Sequence, residues 1–440
     1  MLTTWTENPT LTRVTDHLKQ AIDDKYLADM AARCFLNTIE TTVRWNAGEL
    51  PYVLTGDIPA MWLRDSSAQL EPYVRFTNTD EFLQQLIHGI ILRQAAYILE
   101  DPYANAFNQT ASGQHGFPHD ETAMGPWVYE RKFEIDSLAH PIRLWWMYVH
   151  RTGKVDVLDG LPRQAVVRTL DVLESEQEHD ADSVYRFQRP HSAPSDTLVR
   201  DGLGPVSRPT GMVWSGFRPS DDATTYPYLV PAEMFLAVAL DIIVEWATTV
   251  WHDDDIRRRA QHLQSDILTG LLEYSLQDSP RYGKVWAYEV DGLGNALLMD
   301  DANIPSLLSL PFLNFCSVDH PVYQNTRGFV LSQDNPYYYQ GRALSGVGSA
   351  HTEVDHVWPL AVIMEALTQP SSGKVWDMVR MLARADGGAG LMHESVHVDR
   401  PNEYTRPWFS WANSMFAELI LRVLGYDPVI RAPIVSSQWG

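Results

Sequence analysis

Thr55-Gly-Asp-Ile-Pro-Ala-Met-Trp-Leu-Arg-Asp-Ser-Ser-Ala-Gln69 gathers Asp57, Arg64 and Asp65 around Met61 and Trp62, in a turn set up by Gly56 and Pro59. A core segment would not carry so many charges, and a solvated loop would not carry such large apolar side chains. The mixture suits a concave site, with an apolar floor and a few fixed polar groups that orient a small polar ligand. Arg64 beside Asp65 reads as a guanidinium–carboxylate pair whose remaining donors and acceptors meet hydroxyls. The competing reading makes Asp65 or Ser66 the cap of the helix that follows. Four later stretches of the same character decide for a site: ERKFEIDSL (130–138), SGFRPSDD (215–222), GNALLMDDANIPSLLSLP (294–311), and HES (393–395) with TRPWFSWANSMF (405–416).

Between these stretches the apolar residues keep helical spacing. Helices are predicted over 11–45, 65–76, 80–99, 136–151, 156–178, 231–249, 253–275, 305–315, 319–331, 353–368, 372–386 and 406–424. Their connections alternate long and short. Short links force antiparallel neighbours, so every long loop falls at the same end of the assembly. Proline recurs early in every second helix, at Pro141, Pro231, Pro305, Pro359 and Pro407, where a first turn tolerates it. Unequal intervals exclude a solenoid of fixed period. The fold expected is all-α: an (α/α)6 barrel, or toroid, with long active-site loops on one face. Residues 53–56 and 284–290 read as small hairpins within those loops. No Ser/Gly-rich linker divides the chain, and 1–440 is read as one catalytic domain.

The 440 residues carry 56 Asp and Glu against 34 Lys and Arg, a formal net charge of −22, which argues against nucleic acid or anionic membrane as partner. No uncharged run approaches the ~20 residues that span a bilayer. No apolar stretch follows a basic start, so no signal peptide is expected. Cys34 and Cys316 are the only cysteines, which fits a reducing compartment and excludes a cysteine-based zinc site. The expected location is the cytoplasm.

Every motif lies in a long loop or on the first turn after one, which points to one composite site. His115-Gly-Phe-Pro-His119-Asp120-Glu121 has metal-ligand residue types, but no HExxH or second His cluster accompanies it, and solvated loop chemistry is the preferred reading. His115 is the member of that stretch expected near substrate. In SGFRPSDD, adjacent carboxylates cannot share a face of an extended segment, so one of Asp221 and Asp222 points into the site, while the other caps a helix or pairs with Arg218. A general acid needs a raised pKa, favoured by burial beneath Trp214 and Phe217 and opposed by Arg218. Asp300 and Asp301 precede Asn303; one of the two aspartates is expected as a cap, with Asp301 and Asn303 on hydroxyls. His351 adds to the site or merely starts a helix with Thr352 as cap. Glu394, between Met392 and Val396, is the carboxylate of the sixth loop, with Trp408 and its neighbours as aromatic platforms.

Taken together these stretches resemble the signature of glycoside hydrolase family 125, the metal-independent exo-α-1,6-mannosidases, and they run in order over residues 51 to 416. The resemblance implies an inverting hydrolase that uses no metal and no cofactor and acts on terminal α-1,6-linked mannose of oligosaccharides. It places the acid in SGFRPSDD, with Asp221 preferred and Asp222 as the alternative, and fits Glu394 as base. Asp57, Trp62, Arg64, Asp65, His115, Arg218, Asp301, Asn303, His351 and Trp408 are then the expected substrate contacts. The residues alone leave two other readings open. A sugar epimerase or lyase on the same toroid would use His351 or one of Tyr337, Tyr338 and Tyr339 as base. A non-catalytic carbohydrate-binding protein would need the aromatics but no opposed carboxylates. The oligomeric state is not legible.

Overall fold

A computed structural model describes residues 8–369 and 371–440. The chain enters through α1 (Pro9–Ala21), whose start is fixed by Asn8: its side chain accepts the amides of Thr10 and Leu11 ahead of a first-turn proline. The single helix expected over 11–45 is in fact two. Asp24 accepts the Leu27 amide and starts α2 (Lys25–Asn37) after a three-residue break. A π-turn over Thr38–Thr42 ends α2, where the Thr41 and Thr42 hydroxyls bond back to the carbonyls of Asn37 and Thr38.

The rest alternates buried and half-exposed elements. After the Thr55–Gln69 loop come two short buried helices, α3 (Leu63–Ala68) and α4 (Glu71–Val74), where one was expected. The Asp80-capped α5 (Glu81–Glu100) is amphipathic and lies outside them. Next come the buried α6 (Asp136–Thr152), closed by left-handed Gly153, and the outer α7 (Leu161–Gln177) with a short α8 (His179–Asp182). The buried α9 (Val230–Thr249) pairs with the outer, Asp253-capped α10 (Asp254–Gly270). Residues 305–315 are buried but form successive turns, followed by the outer α11 (Pro321–Val330). Two more pairs complete the chain: α12 (Pro359–Leu367) with α13 (Ser372–Arg384), and α14 (Ser410–Val423), which packs on α2.

The inner elements touch in sequence, α3 and α4 on α6, α6 on α9, α12 on α14 and α14 back on α3, closing an (α/α)6 barrel. One continuous apolar core runs through it from Leu11 to Val435. Among the described residues no helix is long and apolar enough to cross a membrane.

Three further expectations need correction. Residues 305–315 are not helical, because Ser306 and Ser309 exchange side-chain-to-backbone hydrogen bonds and Asp300 takes the amides of Leu307 and Leu308. Pro141 sits inside α6, beyond its first turn. The helices expected from 353 and 406 begin later, at Pro359 and Ser410, because the intervening residues pair with neighbouring loops.

That pairing positions the site. Met61–Trp62 joins Ala106–Phe107, which joins Val128–Glu130, tying the first loop to the second. Tyr228–Leu229, Glu289–Val290 and Ala296–Leu297 tie the third to the fourth. His356–Val357 pairs with Val396–His397, tying the fifth to the sixth. The ring closes at Gly56, which bridges Phe409, while the amide of Asp57 bonds the Trp408 carbonyl at 3.2 Å. Gly56 has φ 147°, and a Cβ there would overlap the Trp408 carbonyl oxygen. Gly56→Ala is therefore expected to destabilise the protein by about 1–3 kcal/mol in denaturant unfolding, and to lower activity beyond the unfolded fraction; an unchanged midpoint and full activity would contradict this closure.

Candidate active site

At the loop-bearing end of the barrel lies a cavity of 170 Å³. Trp62, Trp358, Phe409 and Trp411 wall it, and its polar lining includes Arg64, Asp65, Asp221, Asn303, His351, Glu394 and Arg406. Larger cavities occur elsewhere, such as one of 470 Å³ beside Arg93 and Trp127, but Arg93 there is committed to the carbonyls of Leu50, Pro51 and Gln109 and to the Tyr97 hydroxyl.

Arg64, on the first turn of α3, is the centre of the polar floor and only 2% exposed. Its Nη1 donates to Glu134 and, at 3.2 Å, to Asp136; its Nη2 donates to Asp221 at 3.3 Å; and Asp65 lies 3.7 Å from Nε. Asp65 in turn accepts from Thr55. These donors are spent on carboxylates, so Arg64 organises the site first and faces the cavity second.

Asp221 lies in a tight turn in which the Arg218 amide reaches the Asp222 carbonyl at 2.7 Å, and it adopts left-handed φ of 66°. This sends the two neighbouring carboxylates opposite ways. Asp221 reaches the cavity and accepts from Asn105 at 3.2 Å. Asp222 is buried, its Oδ1 3.1 Å from His351 Nδ1, and does not line the cavity. Burial would push the Asp221 carboxyl up, but a hydrogen bond with Glu134 and the charges of Arg64, Lys132 and His351 outweigh it and hold Asp221 low. Burial, with the adjacent Asp221 opposing Arg64, drives Glu134 well up, and burial pushes Asp136 up to about 6 against Arg64. The raised acid expected at Asp221 alone is thus a property of a group of carboxyls.

Glu394 reaches the cavity from the sixth loop, 3.5 Å from Arg406 Nη1. Arg406 is held by Asp57 at 2.6 and 2.9 Å and stacks on Phe409. Asp301 accepts from the Asn303 amide and side chain at 3.0 Å and from Ser349 at 2.7 Å, so it orients Asn303, which lines the cavity. Asp300 caps the following turns.

Besides Asp301, which acts through Asn303, four expected contacts lie outside the cavity lining. Arg218 is buried on Glu289 at 2.5 Å and faces away from the cavity. His115 bonds the Val128 carbonyl at 2.8 Å on an outer loop. Trp408 gives its indole N–H to Thr41 at 3.0 Å, leaving the aromatic wall to Phe409 and Trp411. Asp57 acts only through Arg406. Trp214 is no cover for Asp221 either, being stacked on His179 in the core with centroids 3.6 Å apart. Sequence reasoning missed Asn105, Lys132, Glu134, Asp136, Trp358 and Arg406 as members of this site. The ERKFEIDSL stretch held Lys132, Glu134 and Asp136, and its charges among apolar residues were the available signal for them. The Tyr337–Tyr339 run does not line the cavity, and His351 is tied to Asp222, so neither forms a base poised for carbon-bound protons.

Known proteins share the family and fold of this chain. A family model described as metal-independent α-mannosidase, glycoside hydrolase family 125, matches residues 24–421. The Meiotically up-regulated gene 157 protein of Schizosaccharomyces pombe is 39% identical over 437 residues, covering 94% of this chain and 85% of that protein. A metal-independent α-mannosidase structure from Streptococcus pneumoniae, in a non-productive complex with α-1,6-mannobiose, is 43% identical with a TM-score of 0.92, over 94% of this chain and 98% of that one. A bacterial glucoamylase complexed with acarbose is 14% identical with a TM-score of 0.55, over 95% of this chain and 58% of that one, and shares the fold alone.

His351 supplies a pH test of the geometry. Burial lowers its pKa, but Asp222, Glu394 and Asp221 together raise it from 6.5 to about 9. A raised folded-state pKa means that the stabilisation is complete below ~6.5 and is lost as pH rises through ~9. Its side chain is 37% exposed, so solvent screens the gain. The His351 ring proton is expected to titrate near 9 by NMR, and near its ordinary value in Asp222→Asn; a midpoint near 6.5 in the unaltered protein would refute the pairing.

Proposed function

The chain belongs to glycoside hydrolase family 125, the metal-independent α-mannosidases, and from that premise we propose that it removes terminal α-1,6-linked mannose from oligosaccharides by single displacement, with Asp221 as general acid and Glu394 as general base. The observation that carries this reading is the pair of carboxyls from the third and sixth loops lining one aromatic-walled cavity. A pocket of this kind, rather than an open cleft, supports cleavage at a chain end. The 1,6 linkage rests on the likeness to the Streptococcus pneumoniae structure with α-1,6-mannobiose.

In this scheme the indole and phenyl faces receive the sugar, and Asn303, fixed by Asp301, meets its hydroxyls. Arg406, braced by Asp57, orients the Glu394 carboxylate, which takes a proton from water as that water attacks the anomeric carbon from the face opposite the leaving group. Asp221 protonates the departing oxygen as the glycosidic bond breaks. Asp222 is unsuited to that role because it does not line the cavity, His351 engages its Oδ1 and its Oδ2 is buried without a partner. No step draws on a cofactor. Buried, unpaired Cys34 and Cys316 support a reducing compartment, and we place the enzyme, as one catalytic domain, in the cytoplasm.

Hydrolysis of α-1,6-mannobiose is expected to proceed unchanged in EDTA. Glu394→Gln should fold and bind but lose activity by about 10²-fold or more, since an amide cannot activate water. Asp221→Asn should lose most with poor leaving groups and least with acidic phenols. Binding without turnover in the unaltered protein, or activity lost in EDTA and restored by a divalent cation, would overturn the reading.

A further inference from the structure

The mechanism above leaves Glu134 unused, although it is buried at the floor of the site and shares two donors with Asp221, the Arg64 guanidinium and the Asn105 side-chain amide. Its Oε2 accepts from Arg64 and, at 2.9 Å, from the Ser137 hydroxyl. Its Oε1 has only the Asn105 amide nitrogen, at 3.3 Å, and that nitrogen also lies 3.2 Å from Asp221 Oδ1. Oε1 is therefore the oxygen left to carry a proton. Charge crowding favours one: Arg64 is the one guanidinium in contact with Glu134, Asp136, Asp221 and Asp65 together. Buried like charges in direct contact do not all ionise. Resting on the assignment of Asp221 as acid, we propose that Glu134 is a positioning residue that shares one proton with Asp221, so that the acid of this enzyme is a carboxyl–carboxylate dyad clamped by Arg64.

The groups facing the dyad are Arg64 and Asp65 from α3, Lys132 and Asp136 on the segment of Glu134 itself, and His351 across the cavity. Three of these are cationic, and by themselves they would leave Asp221 ionised and unable to donate at neutral pH. Glu134 holds the proton in reserve where the cations cannot expel it. As the glycosidic bond breaks, the proton passes from Glu134 Oε1 to Asp221 and on to the departing oxygen, which keeps the electron pair of the broken bond. The proton that Glu394 takes from water returns to solvent, and one solvent proton refills the dyad. The two carboxyls then titrate as a pair rather than as two residues.

Glu134→Gln tests this, because the amide preserves a hydrogen bond to Asp221 but carries no transferable proton. Activity requires the dyad proton and falls as pH rises through its pKa. Without Glu134, Asp221 faces the cations alone and must take up its own proton, which moves the alkaline limb of kcat/KM to lower pH. The expected shift is about one unit or more, with at least about tenfold loss on α-1,6-mannobiose at neutral pH. An aryl α-mannoside with an acidic phenol should lose little, which separates this from a folding defect that would lower both substrates alike. An alkaline limb that stays in place in a folded Glu134→Gln overturns the dyad. If that variant does not fold, infrared spectroscopy decides: the unaltered enzyme should show a protonated-carboxyl band at neutral pH that Asp221→Asn removes, and its absence overturns the dyad. Asp221→Asn with full activity on mannobiose would instead remove the premise.

Discussion

One buried guanidinium against four carboxylates is the constraint on which this site depends. Arg64 belongs to the first loop–helix unit, Glu134 and Asp136 to the second and Asp221 to the third, so a single side chain fixes three of the six units relative to one another. Taking such charges out of water is expensive, and the expense is offset only where the partners are close and the remaining polar atoms are satisfied. Removing one partner strands the others, which ties the integrity of the floor to the same group that sets the protonation of the acid.

The barrel makes this arrangement possible. Its inner elements are buried on all sides, and polar residues occur on them chiefly at their loop ends, where α3 and α6 begin. Short strands stitch the loops in pairs, first to second, third to fourth and fifth to sixth, and the Gly56–Phe409 bridge joins first to last. Asp221 and Glu394 thereby reach the cavity from different loops, each braced by a cation: Arg64 of the first unit for Asp221, and Arg406 of its own loop for Glu394. Loops that would otherwise be mobile become a rigid rim, as preorganised catalysis requires.

Much of this was legible because burial leaves a compositional trace. Alternating long and short links gave the barrel, and charged–aromatic mixtures in the long loops gave the site, including Asp221, Glu394, His351 and Asn303. Two kinds of information were not legible. Local side-chain competition broke predicted helices, as Asp24 did in 11–45 and Ser306, Ser309 and Asp300 did in 305–315. Side-chain direction decided membership of the cavity: Arg218 and Asp222 stand beside Asp221 in the chain, yet the left-handed turn turns both away. Trp408 and Phe409 differ likewise. Glu134 and Asp136 lie in a stretch singled out for the site, but their role is legible only once their common partner, Arg64, is seen between them.

The proposed acid and base, with water between the base and the anomeric carbon, make one stereochemical commitment. Proton NMR of α-1,6-mannobiose hydrolysis, recorded before mutarotation, reads it directly. The account predicts that β-mannose forms first from the non-reducing residue. The α-anomer appearing first would require a covalent intermediate and would contradict the assignment of Asp221 and Glu394 as acid and base.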